Sequence, residues 1–190
     1  MSSEMHFYKK KKRVSREKVK YVIVTVIEMI IMVMLAAILV YFLGIQTKVS
    51  GQSMEPGIHN QDTVWLNRFV YMVSSPKRGD IIAFYPNGNK ETNLSIKRVI
   101  AVPGDTVWIE NGVIYVNGDA VEEDYEASAI KESGLARQEL IVGEDEYFVL
   151  GDNRGNSEDS RHANIGNVLK SEIAGKVWLR GASFRDISMI

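Results

Sequence analysis

Hydrophobic and polar positions divide this chain into two unlike parts. Tyr21 to Leu43 is a 23-residue apolar stretch with one charge, Glu28, and no glycine or proline. As a helix it would be about 34 Å long, enough to cross a hydrocarbon core of about 30 Å. Glu28 conflicts with this: a charge at the bilayer centre costs roughly 2.5–3.5 kcal/mol, whereas each large aliphatic residue returns about 0.3–0.6 kcal/mol. Its position toward the N-terminal end of the stretch, and the many aliphatic neighbours, offset that cost. From residue 44 onward the period changes. Short alternating or apolar runs predict strands at 63–67, 80–85, 95–102, 106–110, 113–116, 147–150 and 174–180. Proline, glycine and asparagine clusters punctuate them, and Asn111-Gly112 between two β-rich runs reads as a tight hairpin. No helical period lies between strands to build a parallel α/β sheet, so the expectation is one transmembrane helix followed by a mostly β domain of antiparallel sheet. Residues 119–146 are acidic and less regular, a small excursion from the main sheet.

Charge sharpens the division. The chain of 190 residues has a formal net charge of −1, yet residues 1–20 carry eight basic against two acidic residues. Beyond Glu28 the balance reverses to 15 basic and 21 acidic. A basic segment directly before an apolar one points to anionic lipid rather than nucleic acid. It also places the N-terminus in the cytoplasm and everything after Gly44 outside, in a cell membrane. A cleaved secretory leader begins in the same way. Here, however, the apolar run exceeds the usual 7–15 residues or so, and Tyr41-Phe42-Leu43-Gly44-Ile45-Gln46 offers no small-x-small cleavage pattern. The expected organisation is therefore a cytoplasmic segment 1–20, a transmembrane helix 21–43 and an extracytoplasmic domain 44–190. The sequence has no cysteine, which removes disulfides, thiol nucleophiles and cysteine zinc sites from consideration. His6, His59 and His162 lack metal-ligand spacing, and Arg154 stands where a calcium loop needs an oxygen ligand. Neither a metal nor any other cofactor is expected.

Three stretches carry candidate chemistry. Ser50-Gly51-Gln52-Ser53-Met54-Glu55-Pro56 is a tight, irregular segment in which an exposed Ser53 hydroxyl would have backbone N–H groups beside it. An ordinary loop serine is the alternative. In the strand 95–102, Lys97 shares one face with Ser95, Val99 and Ala101, while Arg98 shares the other with Ile96 and Ile100. A desolvated, unpaired Lys97 would shift from about 10.4 toward 7 or 8, and the neutral amine could take a serine proton. An edge strand with Lys97 in water is the alternative. Arg98 cannot shed its charge and needs a carboxylate. The third stretch, Gly151 to Arg161, is a dense polar loop with carboxylates for Arg98 and a serine to orient Lys97.

Together these stretches resemble the type I signal peptidases, membrane-bound serine endopeptidases that remove signal peptides from exported proteins. The matching blocks are Ser-Gly-x-Ser-Met-x-Pro at 50–56, Pro-Lys-Arg-Gly-Asp-Ile at 76–81, Lys-Arg-Val-Ile-x-x-Pro-Gly-Asp at 97–105 and Gly-Asp-Asn-Arg-x-Asn-Ser-x-Asp-Ser-Arg at 151–161. The short length and single anchor are similar to the Gram-positive form. The resemblance implies Ser53 as nucleophile, Lys97 as general base and later general acid, and the Ser53 N–H as an oxyanion donor. It implies Ser157 as the group that orients Lys97, and ion pairs among Arg98, Asp152, Asp159 and Arg161 that hold the loop. Some relatives carry a serine two positions before the nucleophile as second oxyanion donor. Gly51 stands there, leaving a backbone N–H or water for that task. The implied substrate is a secreted preprotein with small residues one and three positions before the cut, bound as an added strand over shallow apolar pockets. The aromatic stretch Trp65 to Met72 would dip into the bilayer surface or form a core strand.

Two other readings use the same residues. A Ser-His-Asp hydrolase would draw on His162 with Asp159 or Asp152, and it leaves the Lys97 block unexplained. A dedicated peptidase or a non-catalytic assembly factor for pilin-like surface proteins shares the fold, although the presence of both Ser53 and Lys97 argues against the non-catalytic form.

Overall fold

The structure, a computed structural model, describes residues 15–43, 45–181 and 188–189. The chain divides into two compact units between residues 39 and 40.

Helix α1 runs Arg16–Leu43, 28 residues, and so begins five residues before the predicted span. Lysine, arginine and glutamate are good helix formers, and Ser15 Oγ accepts a hydrogen bond from the Lys18 N–H at 3.3 Å, capping the first turn. Its apolar side chains from Tyr21 to Ile38 are exposed nearly all round, the surface expected of a segment whose solvent is lipid.

The remainder is β. The strands are β1 (Ile45–Lys48), β2 (Thr63–Asn67), β3 (Ile81–Phe84), β4 (Ser95–Ala101), β5 (Thr106–Glu110), β6 (Val113–Val116), β7 (Asp119–Ala120), β8 (Leu140–Ile141), β9 (Glu146–Leu150), β10 (Val168–Leu169), β11 (Ile173–Arg180) and β12 (Ser188–Met189). A larger antiparallel sheet has the order β1-β2-β11-β3-β4-β9-β10, with β12 also on β11; a smaller one has the order β7-β6-β5-β8. The seven predicted strands are all present, shifted by at most one residue at either end. The others gave no signal because β7, β8, β10 and β12 are two residues each and β1 is four, lengths at which tertiary pairing decides. Asn111 and Gly112 adopt φ 51° and 81°, the left-handed pair that a two-residue hairpin turn requires between β5 and β6.

β4 lies inside the larger sheet, paired with β3 on one side and β9 on the other, so it is not an edge strand. One face of this region packs Ile81, Ala83 and Ile96 with Met54, Ile58, Val64 and Leu66. The opposite face packs Ile82, Phe84 and Val99 with Tyr147 and Val149. The smaller sheet closes over the far end of β4 and β9 through Ile100, Phe148, Leu150, Val107, Ile109 and Val116. Lys97, opposite Ile82 in the register, therefore sits among apolar side chains on an inner strand.

Two expectations about segments are refined. Trp65 to Met72 is not one surface: Val64 and Leu66 of β2 are fully buried, whereas Phe69, Met72 and Val73, in and beside a short helix α2 (Val70–Val73), are exposed by 48%, 66% and 71%. Residues 119–146 are irregular as expected, yet they fold back onto the polar loop 151–161 rather than standing away from it.

Candidate active site

The Ser53 segment is a closed loop. Its two ends are tied by the Val49 N–H to the Asp62 carbonyl and the Gln61 N–H to the Val49 carbonyl, both 2.9 Å. Inside it the Ile58 N–H reaches the Met54 carbonyl at 2.9 Å, and Met54 and Ile58 plug into the core. With its neighbours anchored, Ser53 is half-buried and its N–H has no acceptor among the described residues. The Ser53 carbonyl accepts from the Asn153 N–H at 3.0 Å, and Asn153 Nδ2 donates to the Gln52 carbonyl at 3.1 Å, so the polar loop grips the serine loop from behind.

Lys97 Nζ lies 2.7 Å from Ser53 Oγ, in hydrogen-bond contact. The lysine is 3% exposed and has no ion pair at salt-bridge distance among the described residues. Burial pushes its pKa down to about 8; Asp159 and Glu158 act through space in the other direction and recover only part of that shift. About a tenth of such a lysine is a neutral amine at pH 7, against well under a thousandth for a lysine at the ordinary value. In that form the Ser53 hydroxyl donates to the nitrogen lone pair.

The buried ions around this pair are matched one to one. Arg98 donates from Nε and Nη2 to the two Asp152 oxygens at 2.9 and 2.7 Å, donates from Nη1 to the Gly79 carbonyl at 3.1 Å, and lies 3.8 Å below the ring of Tyr125. Burial alone would lower the Arg98 pKa, but the Asp152 carboxylate outweighs it and raises it. Arg161 donates from Nε and Nη2 to Asp159 at 2.8 and 2.9 Å and from Nη2 to the Arg154 carbonyl at 2.8 Å. Burial pushes the Asp159 carboxyl up, and the Arg161 ion pair more than reverses this, leaving it below the ordinary carboxylate range. The Gly151 N–H also donates to Asp159, at 3.1 Å. Arg154, fully buried, pairs with Glu123 and donates to the Gly151 carbonyl at 3.0 Å.

Several contacts differ from expectation. Among the described residues Ser157 Oγ is buried and does not hydrogen-bond Lys97; it lies beside the Asp159 carboxylate, and the lysine's amine is engaged by Ser53. The Gly51 N–H is not available to an oxyanion, because it donates to Asn60 Oδ1 at 3.0 Å. His162 is half-exposed and 3.8 Å from Asp159, a carboxylate already held on both oxygens by Arg161, so the residues do not assemble a Ser-His-Asp triad. Sequence reasoning missed Asn60, Glu123 and Tyr125, and it placed Asn153 in a matching block without a role. Each acts on a partner 9 or more residues away, and Asn60, Glu123 and Tyr125 stand in no pattern of their own.

Ser53 and Lys97 open onto a groove of about 950 Å³. Most of its lining residues are polar, with Asn60, Asn87, Asn156 and Glu158 among them, alongside the apolar Pro86 and Ile165.

The chain is similar to known proteins. The signal peptidase family, peptidase S26, matches residues 22–181. A signal peptidase I of Bacillus amyloliquefaciens is 39% identical over 153 residues, covering 77% of this chain and 80% of the relative. Signal peptidase I S of Bacillus subtilis strain 168 is 36% identical over 154 residues, with 77% and 81% covered. A solved signal peptidase I from Enterococcus faecalis shares 35% identity over 55% of this chain and 98% of its own, with a TM-score of 0.45. With a membrane-length helix, a mostly β catalytic unit and these sequence matches, the chain belongs to the signal peptidase family, peptidase S26, as a type I signal peptidase, a membrane-anchored serine endopeptidase that removes signal peptides by Ser/Lys chemistry.

Proposed function

We propose that Ser53 is the nucleophile and Lys97 the general base of this reaction, acting on secreted preproteins with small residues one and three positions before the cut. The observation that carries the assignment is the 2.7 Å contact between Ser53 Oγ and the nitrogen of a lysine whose burial lowers its pKa to about 8. As Oγ attacks the scissile carbonyl carbon, neutral Lys97 takes the hydroxyl proton, and the oxyanion forms against the Ser53 N–H. The Lys97 ammonium then protonates the leaving amine as the C–N bond breaks, which leaves an acyl ester on Ser53. Lys97, neutral again, takes a proton from the water that attacks the ester and returns it to Oγ on release. Arg98 with Asp152 and Arg161 with Asp159 are positioning pairs that hold the loop on which Asn153 grips the serine segment. The exposed Phe69, Met72 and Val73 serve as the catalytic unit's contact with the bilayer surface.

The test is cleavage of a preprotein carrying an Ala-x-Ala site by the full-length protein in detergent, with the cut mapped by mass spectrometry. Wild type and His162→Ala cut after the second alanine, and Ser53→Ala and Lys97→Ala lower the rate at least about 10³-fold. Cleavage that survives Lys97→Ala contradicts the assignment of the base. Activity confined to one or a few surface-protein precursors identifies a dedicated peptidase instead of a general one.

A further inference from the structure

A tetrahedral adduct at Ser53 carries a full negative charge on the former carbonyl oxygen, and the Ser53 N–H, which has no acceptor among the described residues, is one donor available to it. Donors fixed in place before the reaction are the largest usual source of stabilisation for such an oxygen. The position two residues before the nucleophile has no hydroxyl to add, since it is Gly51, and the Gly51 N–H is consumed by Asn60 Oδ1 at 3.0 Å. That consumed bond defines the rest of the Asn60 side chain. A backbone N–H only donates, so the amide oxygen of Asn60 has to face Gly51, and the amide nitrogen has to face the other way. Asn60 Nδ2 has no hydrogen-bond acceptor among the described residues, and Asn60 lines the same groove as Ser53 and Lys97. Its backbone is fixed on both sides. The Gln61 N–H donates to the Val49 carbonyl at 2.9 Å, the His59 N–H donates to Asp62 Oδ2 at 2.9 Å, and Gln61 holds the turn with φ 70°.

We infer that Asn60 is a catalytic residue whose Nδ2–H donates the second hydrogen bond to the oxyanion. This rests on the reading of Ser53 as nucleophile. The Gly51 N–H holds the amide oxygen, which orients the side chain, and the amide nitrogen remains free for the charge that appears only in the transition state. An amide does not titrate, so the donor persists through the pH range in which Lys97 loses its proton. The arrangement also gives Gly51 a role without a side chain: its N–H aims Asn60.

Asn60→Asp is the informative variant, because it retains an oxygen to accept from Gly51 while removing the donor. Using the full-length protein and a preprotein peptide, Asn60→Asp and Asn60→Ala each lower kcat about 10²-fold, with KM within about twofold of wild type. Wild-type kcat in Asn60→Asp, with Ser53→Ala inactive, overturns the assignment of the second donor and leaves the nucleophile in place. Cleavage by Ser53→Ala overturns the nucleophile and this inference together. A peptide aldehyde, which forms a tetrahedral adduct on Ser53, supplies a second readout. Asn60→Asp weakens its binding by the same factor as kcat/KM and leaves the affinity of an uncleavable substrate peptide unchanged. Equal weakening of both ligands overturns the inference, since a merely distorted loop produces that result.

Discussion

A lysine on an inner strand of a β-sheet is tolerated only at a cost, and Lys97 shows where that cost falls. Its pKa of about 8 lies well below the ordinary value, so the folded protein holds fewer protons than the unfolded chain between pH 8 and about 10.5. The sign follows: below pH 8 both states are protonated and folding bears the full penalty of a buried ammonium, and stability rises with pH through that window. Lys97→Met removes the penalty. At pH 7 the variant unfolds at higher temperature or denaturant, by about 1–3 kcal/mol, and the difference shrinks as pH approaches about 10.5. Equilibrium denaturation of both proteins at pH 7 and pH 10 measures it, and a variant less stable than wild type at pH 7 contradicts the reading. Arg98, one residue on and facing the other side, is treated oppositely. Its charge is kept by two oxygens of Asp152, a carbonyl and an aromatic face. The alternation that separates these two cations was legible in the sequence, and so was Arg98's need for a carboxylate. Asn60 was not, because its role depends on a backbone N–H nine residues earlier being turned toward it.

At the scale of elements, a strand and two loops make the site. β4 was legible from its period, and the serine loop from its turn residues; what the sequence left open was how the loops meet. The meeting point is Gly151 at the end of β9. A Cβ there would overlap the Ser53 carbonyl oxygen and Ser157 Oγ, so only glycine lets the polar loop approach the nucleophile's backbone. Gly151→Ala therefore separates the loops. We expect kcat/KM to fall at least about 10²-fold, with a loss of about 1–3 kcal/mol in stability from overpacking. Activity within a few-fold of wild type contradicts this account of the loop contact. Residues 119–146 were harder to interpret for a related reason. Their acidic composition looks solvated, but Glu123 takes Arg154, Tyr125 covers Arg98 and the Glu132 carbonyl takes Arg161, so the segment braces the back of the catalytic loop. Such pairings join residues roughly thirty positions apart and leave no local pattern.

For the whole molecule, the division of charge and hydropathy found at the start has a functional meaning. The basic, apolar N-terminal part holds the enzyme in the membrane, and the acidic β unit works outside, on preproteins tethered to the same surface. Confinement raises the effective concentration of enzyme and substrate for each other without any added contact. Exposed Phe69, Met72 and Val73 provide the β unit with an apolar surface of its own. Replacing all three with serine lowers cleavage of a preprotein embedded in liposomes several-fold and leaves cleavage of a short soluble peptide within about twofold. Equal rates on the embedded preprotein contradict a bilayer contact.

Both attacks, by Ser53 on the scissile carbonyl and by water on the ester, begin from a neutral Lys97 beside Ser53, and the pH dependence of kcat/KM on a soluble peptide measures this most directly, since it reports the free enzyme's essential base. The predicted profile rises with pH to a plateau, with an acid limb near pH 8, and the limb moves to lower pH in Glu158→Gln, where a charge that holds Lys97 up has been removed. An acid limb near the imidazole range that disappears in His162→Ala, or one that does not respond to Glu158→Gln, would contradict the central claim.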